Sequence, residues 1–143
     1  MAVAAAAETL ARAASFAACV LGLGCGAAEP GDADGGQTRV GANGVVEFEA
    51  RAQEGLAEGR NEFVVELRHA ETSEPLAGAA LDAETVMRSM GHEAAALPEV
   101  RDVGDGSYRV TEVVFSMPGL WELRLSAEKG AIYDEVGLLF EVP

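Results

Sequence analysis

The chain has 143 residues, with 24 Asp and Glu against 10 Lys and Arg, a formal net charge of −14, and two cysteines. A chain this short holds one small domain rather than a multidomain enzyme, and its acidity argues against nucleic acid as a partner, because phosphate backbones are bound chiefly by Lys and Arg that displace counterions. Many of the apolar residues are alanines near the N-terminus, so the rest of the chain is less apolar than the overall 49% suggests.

Arg12 is the single basic residue of the first 24, and the uncharged run from Ala13 to Gly24 follows it. Such a run fits the apolar region of a secretory signal peptide and is too short to cross roughly 30 Å of hydrocarbon as a helix. Gly24 immediately before Cys25 resembles the bacterial lipoprotein cleavage box, in which a peptidase cuts before a cysteine whose sulfur carries a diacylglyceryl group. The expectation is a signal peptide over 1–24 and a lipid anchor on Cys25. Cleavage there removes Cys19 and leaves one thiol, so the exported chain has neither an exposed free cysteine nor a disulfide. The competing reading is an alanine-rich helix with two buried cysteines. Two or three acyl chains hold a protein on a bilayer where one does not. The predicted location is therefore the cell envelope, lipid-anchored and facing the periplasm. Gly26, rather than Asp, after Cys25 points by analogy to the outer membrane.

Residues 25–42 are rich in Gly, Asp and Ala with no apolar period and read as a flexible tether. Asp32 and Asp34 resemble the start of a calcium loop, but Asn43 stands where a bidentate Glu is required, and calcium is set aside. From 43 to 143 the apolar residues come in short runs of β-branched and aromatic type, separated by Gly, Pro and acidic turns. That is a strand pattern. Strands are predicted near 45–52, 62–69, 82–88, 100–103, 107–115, 120–127 and 132–142. Asp105-Gly106 is expected to form a hairpin turn, with further turns at Met117-Pro118-Gly119 and Glu128-Lys129-Gly130. A helical turn is allowed over 93–97, limited by Pro98. The fold predicted is all-β, an antiparallel immunoglobulin-like sandwich of about seven strands.

Candidate chemistry concentrates in Met87-Arg88-Ser89-Met90-Gly91-His92. Thioether sulfur and imidazole nitrogen are soft to borderline ligands that favour copper, above all Cu(I). In a straight strand Met90 and His92 share one face and Met87 lies on the other, so the three converge only where the chain bends, and Gly91 permits a bend. His69 is a candidate to supply or orient a fourth group. The alternative for the methionines is gap-filling in the core. No catalytic nucleophile elbow is present, and the metalloprotease pattern that would start at His92-Glu93 fails at Ala96; the chain is not expected to be an enzyme. Glu47, Glu49, Glu62, Glu66 and Glu122 alternate with apolar residues and are assigned to a solvated face. Tyr108 and Trp121 are assigned to the core, each with a polar hydrogen that needs a partner.

The segments Met87–His92, Asp105–Val110 and Val114–Leu123, in that order, resemble the YtkA-like domain family over about Glu62–Val142. The shared features are a Met-x-x-Met-x-His stretch, a Gly-x-Tyr strand and a Phe-x-Met-Pro-Gly-x-Trp segment. Arg88 stands where the family pattern has Pro. Such domains are similar to the FixH group and to copper-handling sandwiches of the bacterial cell envelope. The resemblance implies an exported immunoglobulin-like domain that binds copper through Met87, Met90 and His92 as a carrier or assembly factor. The alternative is a metal-free module that holds a protein partner in the envelope through a strand edge or loop face.

Overall fold

A computed structural model describes residues 35–93 and 96–143. The expected signal peptide and the lipidated Cys25 lie outside the described residues. Nine strands are present among the described residues: β1 Gly36–Val40, β2 Val46–Ala52, β3 Gly59–His69, β4 Ala80–Met87, β5 His92–Glu93, β6 Glu99–Gly104, β7 Ser107–Phe115, β8 Gly119–Lys129 and β9 Ile132–Val142. They form two antiparallel sheets, one in the order β1-β2-β3-β7-β6 and the other β5-β4-β8-β9. The order β2-β3-β7-β6 against β4-β8-β9 is that of strands A-B-E-D against C-F-G in an immunoglobulin constant domain.

Alternation along the strands explains the layering, because successive side chains leave a strand on opposite faces. Val46, Phe48 and Ala50 of β2, Phe63, Val65 and Leu67 of β3, Trp121, Leu123 and Leu125 of β8, and Leu138 and Phe140 of β9 all point inward and are buried. Phe63 lies edge-on to Phe115, and its ring centre is 5.1 Å from that of Phe140 in the facing sheet. On β7 the inward set changes phase, from Tyr108 and Val110 to Val113 and Phe115. A bulge opposite Glu62 makes the change, with Glu112 held at φ 56° to absorb the extra residue. Both halves of β7 therefore face the core.

The predicted seven strands are all present, and two more accompany them. Residues 36–40, assigned from sequence to the tether, form β1 and pair with β2 from Gly36 opposite Arg51 to Val40 opposite Glu47. The tether is thus corrected at its C-terminal end, and the domain reaches back at least to Gly36. The composition hid β1 because its side chains do not fill the core; they serve an edge. Gln37 Oε1 accepts the N–H of Leu139 at 2.7 Å, Arg39 donates to the carbonyl of Gly137, and in the turn that follows Ala42 N–H reaches the carbonyl of Glu135 at 2.8 Å. These are outward-facing backbone groups of β9, so β1 and its turn close the seam between the two sheets. β5 is the other addition, at Glu93 replacing the helical turn allowed over 93–97.

The seam is fixed by a buried carboxylate. Asp134 sits in phase with the inward apolar residues of β9 and is fully buried. Its oxygens accept the N–H groups of Asn43, Val45, Val46 and Glu135 at 2.7–2.9 Å. Burial by itself pushes the Asp134 carboxyl upward, but those four hydrogen bonds to the ionised form outweigh it and hold the group below the usual carboxylate range.

Candidate functional site

The hairpin joining β4 to β5 carries the methionine-histidine segment. Met87 closes β4 opposite His92 on one side and opposite Trp121 of β8 on the other. Between Met87 and His92 the chain reverses over four residues, with the N–H groups of Met90 and Gly91 both donating to the carbonyl of Met87, at 3.3 and 3.0 Å, and Gly91 at φ 62°. The bend expected beside Gly91 is therefore a hairpin turn, and glycine suits it because that backbone conformation is costly for a residue with a Cβ.

The turn separates the two methionines by environment. Met87 is 7% exposed and belongs to the hydrophobic core, whereas Met90, at the tip, is 55% exposed. Met87 runs toward the neighbouring β7–β8 turn, where a Cβ on Gly119 would stand 3.1 Å from the Met87 methyl. That second turn holds Met117, which is 40% exposed. Its carbonyl accepts the indole N–H of Trp121 at 3.0 Å, which is the partner the buried tryptophan requires. The Arg88 N–H donates to the carbonyl of Leu120 and ties the two turns together. All three methionines of the described residues thus occupy one end of the sandwich, as does the backbone of His92.

From sequence Met117 belongs to a turn and to the Phe-x-Met-Pro-Gly-x-Trp segment, and is not among the candidate ligands. Its place beside the Met87–His92 hairpin follows from the pairing of β4 with β8, which links segments some thirty residues apart and has no local signature. His69 does not join the group. β3 begins at Gly59, opposite Phe115 at the methionine end, and runs eleven residues to His69, roughly 30–35 Å away for an extended strand. The expectation that His69 supplies or orients a fourth ligand is corrected on that ground.

Charges around this end are arranged in pairs. Arg88, the cation between the methionines, turns its guanidinium to Glu122 at 3.7 Å. Glu122 also meets Arg124 at 3.4 Å, and Arg124 meets Glu84 at 3.9 Å. Glu84, Glu122 and Arg124 line a groove of about 550 Å³ on the outer face of the four-stranded sheet, so Glu122 lies on the outward face as its alternation predicts. Glu49, Glu62 and Glu66 are likewise on outward faces of the other sheet, Glu49 against Arg51 and Arg68, Glu66 against Arg68 and Glu62 against Arg109. No group of three or more His, Cys, Asp or Glu side chains that would hold a metal occurs among the described residues.

No curated protein and no solved structure is similar enough to the chain to count as a match. The family model described as YtkA-like matches residues 42–126. The match begins before β2, contains both the Met-x-x-Met-x-His hairpin and the Met-Pro-Gly-x-Trp turn, and ends within β8. It covers more than half of the chain, and the chain belongs to the YtkA-like family.

Proposed function

We propose that this domain binds copper, preferentially as Cu(I), at the methionine end of the sandwich and acts as a carrier or assembly factor in the cell envelope, held to a membrane through lipid on Cys25. The observation that supports this reading is the convergence of Met87, Met90 and Met117 with the strand position of His92 on two adjacent turns. Soft thioethers beside one imidazole suit a soft monovalent ion and offer little to Mg or Ca. The residues that would hold the ion are Met90 and His92. Met117 is exposed on the adjoining turn. Met87, buried beneath, serves either as a ligand reached by a small movement of the hairpin or as the packing that positions it. Pairing of Arg88 with Glu122 offsets the positive charge that would otherwise oppose a cation.

Titration of the purified protein with Cu(I) against a competing chelator tests the reading. The wild type is expected to hold one equivalent, and the Met90→Ala/His92→Ala double variant to lose at least about tenfold in affinity. Equal retention by the double variant rejects the site. Addition of Met117→Ala to the double variant then shows whether the second turn contributes. The second reading, a metal-free interaction module, draws on the exposed strand at the far edge of the five-stranded sheet. A stable envelope partner captured from detergent-solubilised membranes in the presence of chelator would favour it.

A further inference from the structure

We propose that β6 docks edge to edge with β6 of a second copy of this chain, in antiparallel register centred on Val100, so that two five-stranded sheets become one ten-stranded sheet. The two outer seams of the molecule differ. On one side the free backbone groups of β9 are taken up by β1 and its turn; on the other, β6 is the last strand of the five-stranded sheet among the described residues. A row of unpaired N–H and C=O groups is a template for strand addition.

The side chains of this strand are suited to a copy of themselves. Leu97, just before β6, is 77% exposed, and Val103, the bulged residue near its end, is 55% exposed. Glu99 and Arg101 are both exposed and neither forms an ion pair among the described residues. Arg101 instead lies directly opposite Arg109 of β7, a like-charged neighbour already engaged by Glu62 at 3.0 Å.

Symmetry then selects the register. Opposed residues in an antiparallel pair are either both hydrogen-bonded to each other or both not, so a twofold pairing must be centred on a residue. Centring on Glu99 sets Glu99 against Glu99, centring on Arg101 sets Arg101 against Arg101, and centring on Asp102 sets Asp102 against Asp102. Each places like charges directly opposite, which is unfavourable. Centring on Val100 sets Glu99 against Arg101 twice. It gives Arg101, which has no ion pair among the described residues, a carboxylate. Pro98, which lacks an N–H, and the bulge between Asp102 and Gly104 bound the ladder at its two ends. A contact this short buries less than a standard interface, so the dimer is a weak one.

The proposal is independent of metal binding and is tested without it. Sedimentation equilibrium of the full chain in chelator, from about 10 µM to about 1 mM, is expected to show a monomer–dimer equilibrium. Glu99→Arg and Arg101→Glu, each of which sets like charges opposite twice, are expected to weaken association by about tenfold or more. The double exchange, Glu99→Arg with Arg101→Glu, restores both pairs and is expected to return the affinity to within about threefold of wild type. Unchanged circular dichroism of the three variants establishes that they fold. A chain that is monomeric throughout, a dimer indifferent to the single exchanges, or a double exchange that fails to recover association each overturns the proposal.

Discussion

Asp134 shows how one side chain can hold a turn from across the molecule. Replacing it with Asn keeps the shape but removes the charge and one acceptor from a site that satisfies four backbone donors, and is expected to cost about 2–3 kcal/mol in denaturant unfolding. Because its folded pKa lies below the unfolded one, the stability it contributes is fully present above the unfolded value and is lost as pH falls through the folded value. The gap between wild type and Asp134→Asn should therefore narrow on acidification below about pH 4. Two glycines give a contrast in the same region. A Cβ on Gly41 would land within the fixed carboxylate of Asp134, whereas a Cβ on Gly137 would meet only the end of the Glu122 side chain, which can swing away. Gly41→Ala is expected to destabilise by at least about 2 kcal/mol and to be strongly non-additive with Asp134→Asn, while Gly137→Ala costs under about 1 kcal/mol. Glu112 gives a third test. At φ 56° a β-branched residue is strained, so Glu112→Val should lose roughly 1–2 kcal/mol despite its higher strand propensity, and Glu112→Gly should not.

Among the elements, those that fill the core were legible and those that manage edges were not. β2, β3, β8 and β9 announce themselves by apolar alternation, and the partners required by Tyr108 and Trp121 exist: the Tyr108 hydroxyl donates to the carbonyl of Ala79 at 2.8 Å, and Trp121 donates to Met117. Burial, with Asp102 nearby, raises the Tyr108 pKa further, so the phenol stays a neutral donor. β1 escaped because its working residues, Gln37 and Arg39, are polar and sit behind a Gly/Asp-rich stretch, while β5 is only two residues of a hairpin. The phase change on β7 escaped because a bulge breaks the period on which the reading depends. Asp134 left a clue, since it is the one acidic residue in step with Val136, Leu138 and Phe140. The edge role of β1 has its own test. Gln37→Leu leaves the amide of Leu139 without its acceptor, and hydrogen exchange at that amide should quicken by about tenfold or more while core amides of β3 and β8 keep their protection.

For the molecule as a whole, the sandwich and the family were readable from sequence, while the placement of the candidate site was readable only in part. The sequence supplies the donors and the bend, but the separation of a buried Met87 from an exposed Met90, the approach of Met117 and the exile of His69 all arise from which strands face each other. The charge of −14 belongs to this scale as well. Its self-repulsion opposes the compact state, so raising ionic strength from about 0.01 M to about 0.15 M, which shortens the screening length from about 30 Å to about 8 Å, should raise the unfolding temperature by a few degrees in a thermal scan.

The chain contains a single tryptophan, and Trp121 lies buried with its indole tied to the turn that carries Met117. The fold thereby carries an optical gauge at one pole of the sandwich. Its emission should be blue-shifted in the native state and dim when a heavy, soft ion settles on the neighbouring sulfurs, yet stay constant when two copies meet through their outermost strands.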